Sequence, residues 1–98
     1  MKYGFESVLY LWSAQDAWHF ANVPIDVSKE IAEVSAQFRR GFGAVRVDVR
    51  CGNSSWRTSV FPDKNARCYI LPVKAMVRKS ENLAAGDLAR FEIELVDY

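Results

Sequence analysis

A six-stranded antiparallel β-barrel with two short helices, split-barrel-like in organisation, is the fold that this 98-residue chain predicts. Three observations lead there. Short runs alternate apolar with polar residues, as in Val45-Arg46-Val47-Asp48-Val49-Arg50-Cys51, and period-two alternation marks a strand with one buried face. Helical spacing appears in only two segments, and the strand–helix–strand rhythm of a parallel sheet is missing. So much strand in so small a chain is best protected by closing the sheet on itself. The length supports one core, hence a single domain over residues 1–98.

The first strand is expected from Phe5 to Trp12, with Phe5, Ser7, Leu9 and Leu11 on one side and Glu6, Val8, Tyr10 and Trp12 on the other. Large apolar groups on both sides predict cover on both faces for part of its length. Ser13 to Asp16 reads as a turn, and Ala17 to Ala21, with Trp18 and Phe20, as the returning strand of a hairpin. Pro24 ends that run and Asp26 has the chemistry of a helix N-cap. Val27, Ile31, Val34 and Phe38 then form one helical stripe, closed by Arg39, Arg40 and Gly41.

A strand over Ala44 to Cys51 turns through Gly52-Asn53-Ser54 into a strand over Ser55 to Phe61, which Pro62 is expected to end. Asp63 to Ala66 is a polar loop and Cys68 to Leu71 a short strand. Pro72 suits the first turn of a second helix, whose apolar face would be Val73, Met76 and Val77, with Lys74 and Arg78 one turn apart beside it. Gly86-Asp87 should be a tight turn with Gly86 at positive φ and the Asp87 carboxylate capping it. In the last strand Ala89, Phe91, Ile93 and Leu95 face the core, and Arg90, Glu92 and Glu94 face water. A one-residue slip would exchange the two sets, so the register is strongly fixed.

Thirteen Lys and Arg against twelve Asp and Glu leave no global basic field, which weighs against a dedicated nucleic-acid binder. No apolar run approaches the length of a membrane span. The N-terminus carries Glu6 inside its first apolar stretch and lacks a cleavable signal pattern, so a cytoplasmic location is expected. Cys51 and Cys68 form no CxxC pair, and in a reducing compartment two free thiols are expected.

The ordered series Ala17-Trp18-His19-Phe20-Ala21-Asn22-Val23-Pro24, the Val45-Val47-Val49 strand with Gly52 and Trp56, Thr58 to Pro62, Tyr69 to Lys74, Val77-Arg78-Lys79 and Gly86-Asp87 resembles the family called domain of unknown function 1905. The resemblance covers essentially the whole chain. One departure is the loop from Asp63 to Cys68, which lacks a glycine expected before the tyrosine strand. The resemblance implies a small β-barrel of prokaryotic cytoplasmic type and brings no activity with it. A second, looser similarity, over Leu71 to Glu94, is to the hairpin unit of swapped-hairpin transcription factors and antitoxins, which are dimeric and bind DNA.

No metal site is expected: one histidine and two distant cysteines cannot supply the usual nitrogen or sulfur ligands, and no calcium-loop pattern is present. No cofactor motif occurs, neither a P-loop nor GxGxxG. Catalytic residues are likewise not expected. His19 lies between Trp18 and Phe20 as a structural strand residue, Ser59 and Cys68 lack a nucleophile signature, and nothing places two of Asp48, Asp63 and Asp87 together. Trp12, Trp18, Trp56 and Tyr69 either line a ligand pocket or fill the barrel.

The best ligand-binding candidates are Trp56, Ser59, Lys74 and Arg78: an aromatic surface, a hydroxyl, and two cations near a helix start, a grouping that suits a carboxylate or phosphate. The expected function is a non-enzymatic binding module for a small anionic or peptide-like ligand. The alternative is a dimeric DNA-binding or regulatory protein on the swapped-hairpin likeness. Partners expected are a small molecule or peptide, with nucleic acid disfavoured, no membrane, and a homodimer left open.

Overall fold

The computed structural model describes residues 1–12, 18–36 and 43–96. Eight elements follow one another: β1 (Lys2–Leu11), β2 (His19–Asn22), α1 (Ile25–Ser35), β3 (Val45–Cys51), β4 (Ser54–Asp63), β5 (Cys68–Pro72), α2 (Ala75–Ser80) and β6 (Leu88–Leu95). The strands close into a barrel in the order β1-β2-β5-β4-β3-β6, every neighbouring pair antiparallel. The mainly-β barrel with two helices is therefore present as the sequence predicts. The expected turn at 13–16 and the helix end at Phe38 to Gly41 lie outside the described residues.

Alternation places the core. Val45, Val47, Val49 and Cys51 of β3 point inward with Ala89, Phe91, Ile93 and Leu95 of β6, and Phe5 and Leu9 of β1 meet them. Phe5 and Phe91 stand opposite each other in register with ring centroids 5.8 Å apart. The outer side of β1 is not covered as expected: Val8 and Trp12 are exposed, and Tyr10 is half-buried.

Helix α1 starts two residues earlier than the sequence suggests. Pro24 holds the N-cap position without a side-chain cap, its carbonyl accepting the Ser28 N–H at 2.8 Å, and Asp26 lies inside the first turn. There its negative charge still suits the helix dipole. The buried line is Ser28, Ile31 and Ser35, while Val27 and Val34 pack at its flanks. Ser28 earns its place through hydrogen bonds: its hydroxyl donates to the Val23 carbonyl at 3.1 Å and accepts the Tyr69 N–H at 3.0 Å.

Both prolines of the β4–β5 region are strand residues, Pro62 within β4 and Pro72 as the last of β5. The Arg46 carbonyl accepts the Val96 N–H, so even positions of β3 bond toward β6 and odd positions toward β4. In an antiparallel ladder the bonded pairs alternate, so positions 54, 56, 58 and 60 of β4 bond β3, and 61 and 63 bond β5. Pro62 lies in register with Tyr69 but turns its nitrogen away from β5, and no rung is lost. On β5, Val23 N to Tyr69 O and Val73 N to His19 O assign the odd positions to β2, leaving 68, 70 and 72 for β4. The next rung after Phe61–Ile70 would join Ser59 to Pro72, and proline has no N–H to give it. The β4–β5 pairing stops there, and the two strands part.

Pro72 is thus the last residue of β5, opposite Phe20, and not the first of a helix. Helix α2 begins at Ala75 with Lys74 as N-cap. Val73 and Val77 are buried, but Met76 is 71% exposed and does not belong to the apolar face. The turn before β6 is as predicted. Gly86 has φ 98°, the Asp87 carboxylate accepts the Ala84 N–H at 2.8 Å, and Gly86 N–H bonds the Leu9 carbonyl at 2.7 Å. Segments β5 and β6 are not neighbours, so residues 71–94 do not form the paired hairpin that the swapped-hairpin likeness implies. Among the described residues no helix is long and apolar enough to cross a membrane.

Candidate functional site

Where β4 and β5 separate, a cleft of about 430 Å³ opens. One wall is Trp56, Arg57 and Thr58 of β4; the other is Pro72, Val73, Lys74 and Ala75, with Arg78 of α2, and Trp18 and His19 close the end. Of the four residues that the sequence singles out, Trp56, Lys74 and Arg78 meet here. Ser59 does not line the cleft; Thr58, on the inward face with Trp56 and Val60, supplies the hydroxyl instead.

The cations are held in different ways. Arg78 donates from Nε to the Val73 carbonyl at 3.1 Å, which fixes its guanidinium along the β5–α2 connection. Arg57 is bound to Asp48, Nε to Oδ1 at 2.8 Å and Nη2 to Oδ2 at 3.3 Å. That contact holds the Asp48 carboxyl below its ordinary range. Lys74, exposed at the N-cap, has a long flexible stem that can carry its ammonium over the opening. With only six residues, α2 is too short for its N-terminus to act as an anion site, so the side chains alone must supply the charge. Glu81, at the C-cap of α2, accepts the Ser54 hydroxyl at 2.7 Å.

The four aromatics divide. Tyr69 is buried in the core, and Trp56 reaches from the core to the cleft floor. Trp12 and Trp18 fill no part of the barrel: they flank Phe20 at 5.9 and 6.0 Å on its outer side. His19, read from the sequence as a strand residue, is one, at the first position of β2, and it also lines the cleft. Trp18, named in the sequence as a ring that either lines a pocket or fills the barrel, lines the cleft; sequence reasoning missed His19 and Thr58 beside it, because these residues approach only through the strand order. The signal that could have marked the opening is Pro72, read as an interrupted ladder.

Cys51 and Cys68 are both buried free thiols. Burial pushes each upward in pKa, helped by the charge of Glu81 at Cys51 and of Asp63 at Cys68. Neither lines the cleft. No group of three or more metal-binding side chains occurs among the described residues.

No curated protein matches the chain in sequence. A family model does, over residues 5–93, nearly the whole barrel from β1 to β6, and by it the chain belongs to the family described as Domain of unknown function (DUF1905).

Proposed function

We propose that the protein is a non-enzymatic binding module whose β4–α2 cleft takes a small anionic ligand with a flat apolar body, free or as the end of a peptide. The observation that carries this reading is the convergence of Trp56, Lys74 and Arg78, with Trp18 and His19, around one cleft of about 430 Å³. Two indole surfaces offer stacking area, and the Lys74 ammonium and Arg78 guanidinium favour a carboxylate or phosphate. An apolar cavity with a few convergent polar groups is the usual form of a small-molecule site. Binding rather than turnover is supported by the lining: among the described residues it contains one histidine and no carboxylate or thiol to work with it.

The test is a titration with benzoate and 2-naphthoate against the uncharged benzamide, followed by indole resonances and by thermal stabilisation. The carboxylates should shift the Trp18 and Trp56 signals and raise the midpoint as a ligand of the folded state does. Lys74→Ala should weaken binding by roughly tenfold, the scale of one charge-assisted contact. Absence of binding by any of the anions, or affinity indifferent to Lys74→Ala, would sink the reading.

A further inference from the structure

A second hollow, of about 210 Å³, lies on the outside of the barrel and is lined by Tyr10, Trp12, Phe20, Asp63, Asn65 and Ile70. Its construction follows from register. Tyr10 and Trp12 stand two apart on the same face of β1, Phe20 is directly opposite Tyr10 on β2, and Ile70 continues the surface on β5. Asp63 and Asn65 reach the rim from the end of β4 and the turn after it. Phe20 is buried as the floor, while Trp12 is 43% exposed as a wall. The Tyr10 hydroxyl donates to Asn22 Oδ1 at 2.9 Å, which fixes its ring.

We propose that this hollow is a receptor for an alkylated ammonium group. Aromatic faces carry negative potential, and a cation over several of them is attracted to each. The rings do not form a flat platform of the kind a sugar face stacks on. Tyr10 is tilted 37° to Phe20, and Trp12 meets Phe20 edge-on at 75°. Together they make a corner, which fits a rounded group. Among the described residues, the only ionisable side chain on the rim besides the Tyr10 phenol is the acid Asp63, with no lysine, arginine or histidine in the lining. The charge of Asp63 is felt inside the hollow: after burial, it is the next cause raising the Tyr10 phenol. A bare ammonium would need hydrogen-bond acceptors in place of its water, and the floor of Phe20 and Ile70 offers none. Methyl groups on the nitrogen remove that need. The site is separate from the β4–α2 cleft and attracts the opposite charge.

The group can belong to a free molecule or to a modified lysine side chain, and the experiment separates them. Choline, its neutral isostere 3,3-dimethylbutan-1-ol, and a short trimethyllysine peptide are titrated while the Trp12 indole resonance is followed. Choline should perturb Trp12 at millimolar concentration, and the isostere should bind at least roughly tenfold more weakly, since it lacks the cation–π attraction. Asp63→Asn should weaken choline about fivefold, the scale of one partly screened charge contact. Trp12→Ala, at an exposed position, should abolish binding with the unfolding midpoint unchanged. A peptide tighter than choline places the group on a protein side chain, and equal affinities place it on a free molecule. Equal binding of choline and its isostere, no response to either at tens of millimolar, or indifference to Asp63→Asn overturns the proposal.

Discussion

The Ser28 hydroxyl joins the Tyr69 N–H and the Val23 carbonyl, two backbone groups at the mouth of the β2–β5 ladder. With Ser28 and Tyr69 buried, water has little access to these groups. Ser28→Ala should therefore cost about 1–3 kcal/mol, the penalty of leaving buried polar groups unsatisfied. A urea titration would show it as a lower midpoint at unchanged slope; an unaltered midpoint would mean that the hydroxyl is dispensable. Ser28 was not legible in the sequence, where the stripe Val27–Ile31–Val34 draws the eye and a serine reads as surface. The loop from Asp63 to Cys68 teaches the opposite lesson. A glycine was expected before the tyrosine strand, and Arg67 there takes φ 58°, the left-handed conformation that glycine adopts without cost. Arg67 holds this conformation without being a glycine, its N–H bonded to the Asp63 carbonyl at 2.9 Å.

Among the elements, β3 and β6 could be read directly, because each alternates cleanly and buries one face along its length. The segment around β5 could not. Proline at position 72 serves equally in the first helical turn or at an unpaired strand rung, and only the strand order decides between them. The same ambiguity hid the candidate cleft, since three of its four sequence-selected residues converge only because the ladder stops beside Pro72. Pro72→Val restores an N–H directed at Ser59 and should extend the β4–β5 pairing by a rung. The expected outcome is amide protection at position 72, undiminished stability and weaker binding of benzoate in the cleft. Benzoate affinity equal to that of the parent chain would separate the opening of the cleft from the proline.

For the whole molecule, both thiols are buried, Cys51 in the barrel core and Cys68 on the outer side of β5 in line with Ile70, and their pKa values are raised by burial first and by neighbouring carboxylates second. A group whose folded pKa exceeds its unfolded value lends stability in full below the unfolded value, about 8.5 for a thiol, and loses it as pH rises through the folded one. The urea midpoint should accordingly fall on the alkaline side of about pH 8.5. Replacing both cysteines by alanine should flatten that fall, and an unchanged alkaline profile would assign it to other groups. Strand order and closure were predictable only as a class, because the pairing of β1 with β6 joins the two ends of the described chain and leaves no local trace. One contact acts at this scale as well. Glu81, just past the end of α2, holds the Ser54 hydroxyl at the β3–β4 hairpin and lies against Gly52, whose φ of 58° and lack of a Cβ make room for its carboxylate. The walls of the cleft are thus anchored twice, by the Phe61–Ile70 rung at one end and by Glu81–Ser54 at the other. A slot clamped at both ends has its width set before anything enters. On the proposed binding role it would act as a gauge, sorting planar guests by thickness as well as by charge.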